Sequence, residues 1–370
     1  MVGFFWMNGR LMNEMIQLSR AAFRRSFGLE NAPPITPSDS WFDAARRHRM
    51  IGLWTDAFDS LPSRWKTAAY GQALFTARLS DEAARIADAL SGSVEGLRVV
   101  KGPALEKQAW PRLGLRSFDD LDFRCKKDAL PALVDGLSAL GYQVKAQDDH
   151  HRDNLWHFGW GLEFRHPTGL MIEVNHRMFP PHFPWPERLT RQNSEQWAFV
   201  ELNGTPVCCP VPSLHLLLVC AHAAWHGWER LAWIVDMAGL LIRHPGVFPQ
   251  AQSLVGGSTF LNNTLECGCR IASEIFGPLP GIGLSGADPL TAQAIKRLVR
   301  DKPDVPLQTQ REIHHHLMSL PERAVYTARR LATPGDPDFI SWPLPPCLNG
   351  LYWITRPVRG LLKGLKRIER

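Results

Sequence analysis

Within the run Ser117-Phe-Asp-Asp-Leu-Asp-Phe-Arg-Cys125, two acids stand one residue apart, Asp120 and Asp122. In an extended strand successive side chains face opposite ways, so Asp120, Asp122 and Arg124 share one face while Leu121, Phe123 and Cys125 share the other. The apolar face belongs in a core. The acidic face carries two like charges at neighbouring positions, a cost that a divalent cation between them removes. Magnesium suits such a pair, because it prefers hard oxygen ligands and completes its shell with water and phosphate oxygens. An isolated Asp-x-Asp is more often two solvated acids, so the surroundings decide its meaning. Upstream, the apolar run Leu97 to Val100 ends in Lys101-Gly102 at the start of a helix, where free backbone N–H groups and a lysine can meet phosphate oxygens. Downstream, Met171-Ile172-Glu173-Val174 alternates, so Glu173 can add a third carboxylate from a neighbouring strand.

The elements that must hold these residues follow from periodicity. Residues 11 to 26 and 40 to 95 read as helices, joined by a proline-rich linker from Asn31 to Ser38. A strand at 97–100, a helix from Ala104 to Trp110 and a strand at Asp120–Cys125 come next. Asp128 is placed to cap a helix over Ala129–Leu140, followed by a strand at Tyr142–Ala146. Trp156–Phe164 and Leu170–Asn175 form a hairpin about His166-Pro167-Thr168-Gly169. From Ser213 the pattern is helical over 213–226, 228–243, 258–276, 288–300, 309–331 and 349–367. The expected class is α+β, a small mixed sheet over residues 96–210 between a helical region at 1–95 and another at 211–370.

The 370 residues suffice for one large or two ordinary domains, and 45% hydrophobic with 21% charged residues argues against extensive disorder. The net charge of +6 suits a polyanionic ligand, although Arg356, Arg359, Lys363, Lys366, Arg367 and Arg370 gather much of it at one end. Seven cysteines without a Cys-x-x-Cys pair read as buried thiols of a reducing compartment. With no evident secretory signal and no run of about twenty apolar residues, a cytoplasmic protein without a transmembrane segment is expected.

The run KGPALEKQAWPRLGLRSFDDLDFRCKKDALPALVDGLSALGYQ resembles the opening motif of a bacterial nucleotidyltransferase family of the DNA polymerase β-like superfamily. The matching positions are Lys101, Gly102, Arg116, Asp120, Asp122, Gly141 and Tyr142. MIEVNHRM resembles the family's third-acid strand, with Glu173 where the family has Asp, Asn175 where it has His, and His176 at its aromatic position. VPSLHLLLVCAHAAWHGWERLAWIVDMAGLL resembles its two following helices, so the likeness spans about residues 97–243. The resemblance implies a polymerase β-like core that moves a nucleoside monophosphate, AMP as the first expectation, from a nucleoside triphosphate such as ATP. The acceptor is a hydroxyl or phosphate on a small molecule, peptide or protein. Asp120, Asp122 and Glu173 are the implied catalytic residues and the ligands of two Mg2+ ions, with Mn2+ as a substitute. Lys101, Gly102, Arg116, His222 and Asp236 are the implied nucleotide-binding residues, Arg116 having Asp119 or Asp120 as alternative ion-pair partners. Competing readings are a transferase acting on RNA 3′ ends, which the basic balance favours but no RNA-binding module supports, and a nucleotide-binding protein without turnover.

His215, His222 and His226 share one helix side at spacings that zinc sites use, but without a neighbouring acid or Cys pair they read as packed histidines. His314-His315-His316 reads as a solvated surface and Cys267/Cys269 as core. The C-terminal helix is basic and amphipathic, suited to RNA, acidic protein or a membrane surface, or simply solvated.

Overall fold

The structure, a computed structural model, describes residues 2–29, 37–190, 194–283, 288–298 and 305–368. Linker residues 31–36, the end of the expected helix at 299–300, and Arg370 lie outside them. The chain begins with helices α1 (Val2–Ser26), α2 (Phe42–Arg47), α3 (Ile51–Ala57) and α4 (Ser63–Leu90). The stretch 40–95, read as helical, divides into three helices, because Arg49 takes a left-handed φ of 59° and Pro62 sits at the start of α4.

The centre carries β1 (Arg98–Val99), α5 (Gly102–Ala109), β2 (Leu121–Arg124), α6 (Leu130–Ala139), β3 (Gln143–Val144), α7 (Asp149–Phe158), β4 (Gly161–Arg165) and β5 (Met171–Asn175). The sheet order is β1-β2-β5-β4-β3, with β2 parallel to β5 and every other pair antiparallel. The β4–β5 hairpin forms as expected about Gly169, whose φ of 87° suits glycine. Trp156 to Phe158 belong to α7 instead of a strand; the Asp148 side chain accepts from His151 N–H and caps that helix. Asp128 does not cap α6, since it lies within a short 3-10 turn before it.

A second sheet pairs β6 (Trp197–Leu202) with β7 (Thr205–Pro210). The expectation has no hairpin here, although Asn203-Gly204, with φ of 49° and 85°, is a strong two-residue turn signal. The helical remainder is α8 (Pro212–Trp225), α9 (Leu231–Arg243), α10 (Val247–Val255), α11 (Thr259–Phe276), α12 (Pro289–Leu298), α13 (Leu307–Leu317), α14 (Leu320–Ala332), α15 (Asp336–Ser341) and α16 (Tyr352–Ile368). α10 adds a helix to the expected set, and 309–331 divides where Ser319 and Glu322 form a capping box that starts α14.

Two apolar cores hold the fold. One joins α1 and α3 to α8, α9 and α11; the other packs α4 and α6 against the sheet through Leu121, Phe123, Ile172 and Val174. Each such fully buried side chain contributes about 1.5–3 kcal/mol. Because the pleat alternates, burying Leu121 and Phe123 commits Asp122 to the opposite face. The mixed sheet with helical flanks agrees with the expected fold class. Among the described residues no single helix is long and apolar enough to cross a membrane, and all seven cysteines are free.

Candidate active site

Register brings the acids together. Asp122 lies directly beside Glu173 across the parallel β2–β5 pair, and Asp120 immediately precedes β2. Backbone pairing runs past β1, with Val100 N–H donating to the Asp122 carbonyl at 2.9 Å. That bond fixes the following residue, Lys101, whose Nζ donates to Asp122 Oδ1 at 3.3 Å. Gly102 then opens α5 at φ 52°, with Phe118 beside the place a Cβ would occupy. Trp160 Nε1 donates to Glu173 Oε1 at 3.0 Å. Asn175, two residues along β5 on the same face, also hydrogen-bonds Glu173. Its approach requires Gly161 on β4, where a Cβ would meet Asn175 Oδ1 at 1.9 Å. His176 turns the other way, donating from Nε2 to the Trp156 carbonyl at 2.7 Å, so Asn175 occupies the position beside the third acid.

Charge is unbalanced here. Burial, then Asp122 and Glu173, push the Asp120 carboxyl up to about 6. Glu173 is raised by burial and then by Asp122. Burial alone would lower Lys101, but Asp122, Glu173 and Asp120 outweigh it and raise its pKa. Among the described residues no three His, Cys, Asp or Glu side chains converge closely enough, as they stand, to hold a metal ion; Lys101 supplies the nearest compensating charge.

The other expected residues lie differently. Arg116 pairs with neither Asp119 nor Asp120. Its Nε and Nη2 donate to the two oxygens of Asp236 at 2.8 and 3.0 Å, and Trp110 Nε1 adds a bond to Asp236 Oδ1 at 2.6 Å. Arg49 takes Asp119 instead, and donates to the Ser117 carbonyl at 3.4 Å. His222 and His226 pack edge to face at 4.8 Å and both meet Trp233. Burial first, then Lys101, hold both imidazoles well below their usual range, His226 at about 4, which puts His222 within electrostatic reach of the acid site. His215 is a satisfied core residue, its ring nitrogens engaged by the Gln108 side chain and the Val100 carbonyl. His314, expected on a solvated surface, is buried against Trp225 with Nδ1 at 3.1 Å from the Tyr326 hydroxyl. The helix face that carries it packs on α8, which the exposed His316 on the same helix does not.

Asp120 and Glu173 border a cleft of about 1000 Å³. It runs past Trp160 and Glu163 to the segment 333–340 and α16. Sequence spacing does not indicate three residues of this neighbourhood. Arg49 comes from the N-terminal helices, Arg230 lies 5.3 Å over the Trp233 ring, and Trp160 stands between α7 and β4. Only the fold gathers them.

The sequence profile of a family described as uncharacterised nucleotidyltransferase matches residues 39–277, well over half of the chain. The chain belongs to that nucleotidyltransferase family. The match takes in β1 through α11, including every acid of the site. Among solved structures, an antigenic nucleotidyltransferase-like protein from Paracoccidioides brasiliensis is 14% identical, with 52% of this chain and 92% of that one covered at a TM-score of 0.30. No curated protein matches the chain.

Proposed function

We propose that the acid-lined end of the cleft binds a nucleoside triphosphate, ATP as the first case, and transfers its nucleoside monophosphate to a hydroxyl or phosphate acceptor with release of pyrophosphate. The carrying observation is the side-by-side register of Asp122 and Glu173 on parallel strands, with Asp120 next to them and Lys101 in direct contact with Asp122. The acids on neighbouring strands, together with the resemblance carried by the sequence, lead us to assign the core to the polymerase β-like superfamily, with Lys101-Gly102 standing where that superfamily usually has a Gly-Ser turn.

The chemistry of the donor set suits magnesium: three hard carboxylates, two of them held above their usual pKa by burial and by neighbouring acids, with Asp122 and Glu173 on paired strands and Asp120 just ahead of β2. Asp120, Asp122 and Glu173 would hold it, the first two shared by a pair of ions. When bound, magnesium supplies Lewis-acid stabilisation of the phosphate charge and a more acidic acceptor hydroxyl. The protein does the rest. Lys101, released from Asp122, offsets triphosphate charge, with Arg49 and Arg230 as further cations nearby. Glu173, oriented by Trp160 and Asn175, takes the proton of the acceptor hydroxyl. Arg116 and Asp236 act behind this layer, bracing the segment that leads to Asp120, and His222, which does not line the cleft, would act on the nucleotide only from behind Lys101. A nucleotide-binding protein without turnover has no need of three like charges in one place.

The test is incubation of the purified protein with each labelled nucleoside triphosphate, magnesium and cell extract. Label should pass from one nucleotide to a discrete acceptor, stop in EDTA, and return with Mg2+ or Mn2+ but not with Zn2+ alone. Transfer that persists in EDTA would overturn the metal assignment, and label on RNA ends would select the RNA-directed reading.

A further inference from the structure

The cleft changes sign along its length. At the end away from Asp120 and Glu173 it is lined by Arg311, Arg330, Arg356 and Arg359 against two carboxylates, Asp336 and Asp338. Asp338 is taken by Arg359 and Asp336 by His151. Arg356 stands 3.7 Å from Asp338, and its buried Nε has no hydrogen-bond partner. Arg311 has no carboxylate partner among the described residues. Arg330 spends one nitrogen on the neutral Tyr326 hydroxyl at 3.0 Å. Arg311 and Arg330 therefore face that space without a carboxylate partner among the described residues, while Arg356 and Arg359 share Asp338. His182 lines that space as well, its buried Nε2 unpartnered. Burial first, then Arg330, His314, Arg356 and Arg311, hold its imidazole down to about 4, so it adds no competing charge and the arginines act on one spot.

We propose that this basic end seats a phosphate group carried by the acceptor, so that the substrate to be modified is itself a phosphorylated molecule. This rests on the nucleotidyl-transfer reading of the acid end. Guanidinium forks match phosphate oxygens in pairs, and several arginines converging on one space suit a dianion better than a single carboxylate. The cleft, about 1000 Å³, lies at the upper end of what a single small ligand fills, leaving room for an acceptor beside the nucleotide. The arginines come from α13, α14 and α16, which lie beyond residue 277, where the family match ends. The acid machinery thus belongs to the family, while the basic wall is built by helices C-terminal to the matched region.

Calorimetric titration of inorganic phosphate and of a non-hydrolysable ATP analogue with Mg2+, each alone and in the presence of the other, tests this on the full chain. Wild type should bind phosphate in the presence of the saturating analogue. Arg311→Gln/Arg330→Gln should weaken phosphate at least about tenfold, as expected for losing charge-assisted bonds, and change the analogue affinity less than about twofold. Arg311→Glu, at an exposed position, should weaken phosphate in the same direction and provides the answer if the double variant does not fold. Unchanged phosphate binding in both variants would overturn the site. An equal loss of analogue affinity would also overturn it, because the arginines would then hold the triphosphate. Phosphate binding that is lost as expected in a protein that never binds the analogue upholds the anion site and overturns the nucleotidyl-transfer reading.

Discussion

Two assemblies of acids and cations lie one loop apart, and their difference separates function from architecture. Around Asp236, both carboxylate oxygens meet Arg116, Trp110 donates a further bond, and Glu106 Oε1 accepts from the backbone N–H groups of Gly114 and Arg116 at 2.9 Å each. The Arg116–Asp236 ion pair is complete, both oxygens of the acid being met, which is the condition under which a buried ion pair is tolerated. Around Asp122, by contrast, three acids share one close lysine, and burial with repulsion raises Asp120 and Glu173. A fold gains nothing from such an excess. The magnesium-binding role proposed above would account for it.

Mutation of one acid in each assembly should break the comparison in opposite ways. Asp122→Ala should reduce transfer by about 10³-fold or more, the loss of several kcal/mol of charge stabilisation, with an unchanged circular dichroism spectrum because no core side chain is removed. Retained pyrophosphate release would take Asp122 out of the chemistry. Asp236→Ala should instead cost about 3–5 kcal/mol in urea unfolding, since it strands the Arg116 guanidinium in the interior. A mild loss of stability there would mean that the pair is not the brace it looks to be. Arg116→Met/Asp236→Leu should recover much of the loss.

The acid site was largely legible in the sequence and the balanced assembly was not, for a physical reason. Strand alternation is local, so the opposed faces of Asp122 and Phe123, and of Glu173 and Val174, follow from neighbours in the chain. That β5 would lie near β2 followed from its resemblance to the family's third-acid strand, while the parallel pairing itself is shown by the fold. The Arg116–Asp236 pair spans 120 residues and joins a loop to a helix, and no periodicity announces it. The same holds for Arg49, which reaches Asp119 across 70 residues from a left-handed turn inside a stretch that reads as helical. Strand-like alternation also concealed that Trp156 precedes the strand, because the apolar residues at every second position of 156–164 read as one strand until Asp148 is recognised as a cap.

Glu173 sharpens the contrast within the acid site. Glu173→Gln keeps the shape and the Trp160 contact but removes the proton acceptor, so single-turnover transfer should slow by at least about 10² while nucleotide affinity stays within a few-fold. Asp120→Asn should weaken both quantities if, as proposed, that residue is shared by two magnesium ions. Equal and mild effects of Glu173→Gln on rate and affinity would make it an edge-strand charge only.

The smallest expected effect concerns how the balanced assembly stays balanced, since Glu106 is a second acid beside Asp236 and only Arg116 answers them both. Burial pushes the Glu106 carboxyl up to about 7, against the lowering pull of its bonds to Arg116 and Gly114. Its proton is therefore kept in the folded chain over a range in which the unfolded chain, titrating at 4.5, has already released it. Below that range both states are protonated and nothing is gained or lost. As pH rises from about 4.5 through 7 the folded state binds more protons than the unfolded one, so stability falls, and above about 7 it levels off at the lower value. Glu106→Gln retains an oxygen for the two backbone N–H groups and carries no titratable proton. The stability of wild type minus that of Glu106→Gln, from urea unfolding at a series of pH values, should decline by about 1–3 kcal/mol between pH 5 and 8. A difference that stays flat would place Glu106 in ionised form throughout, and the assembly around Asp236 would then carry an uncompensated charge of its own, removing the distinction between it and the acid site.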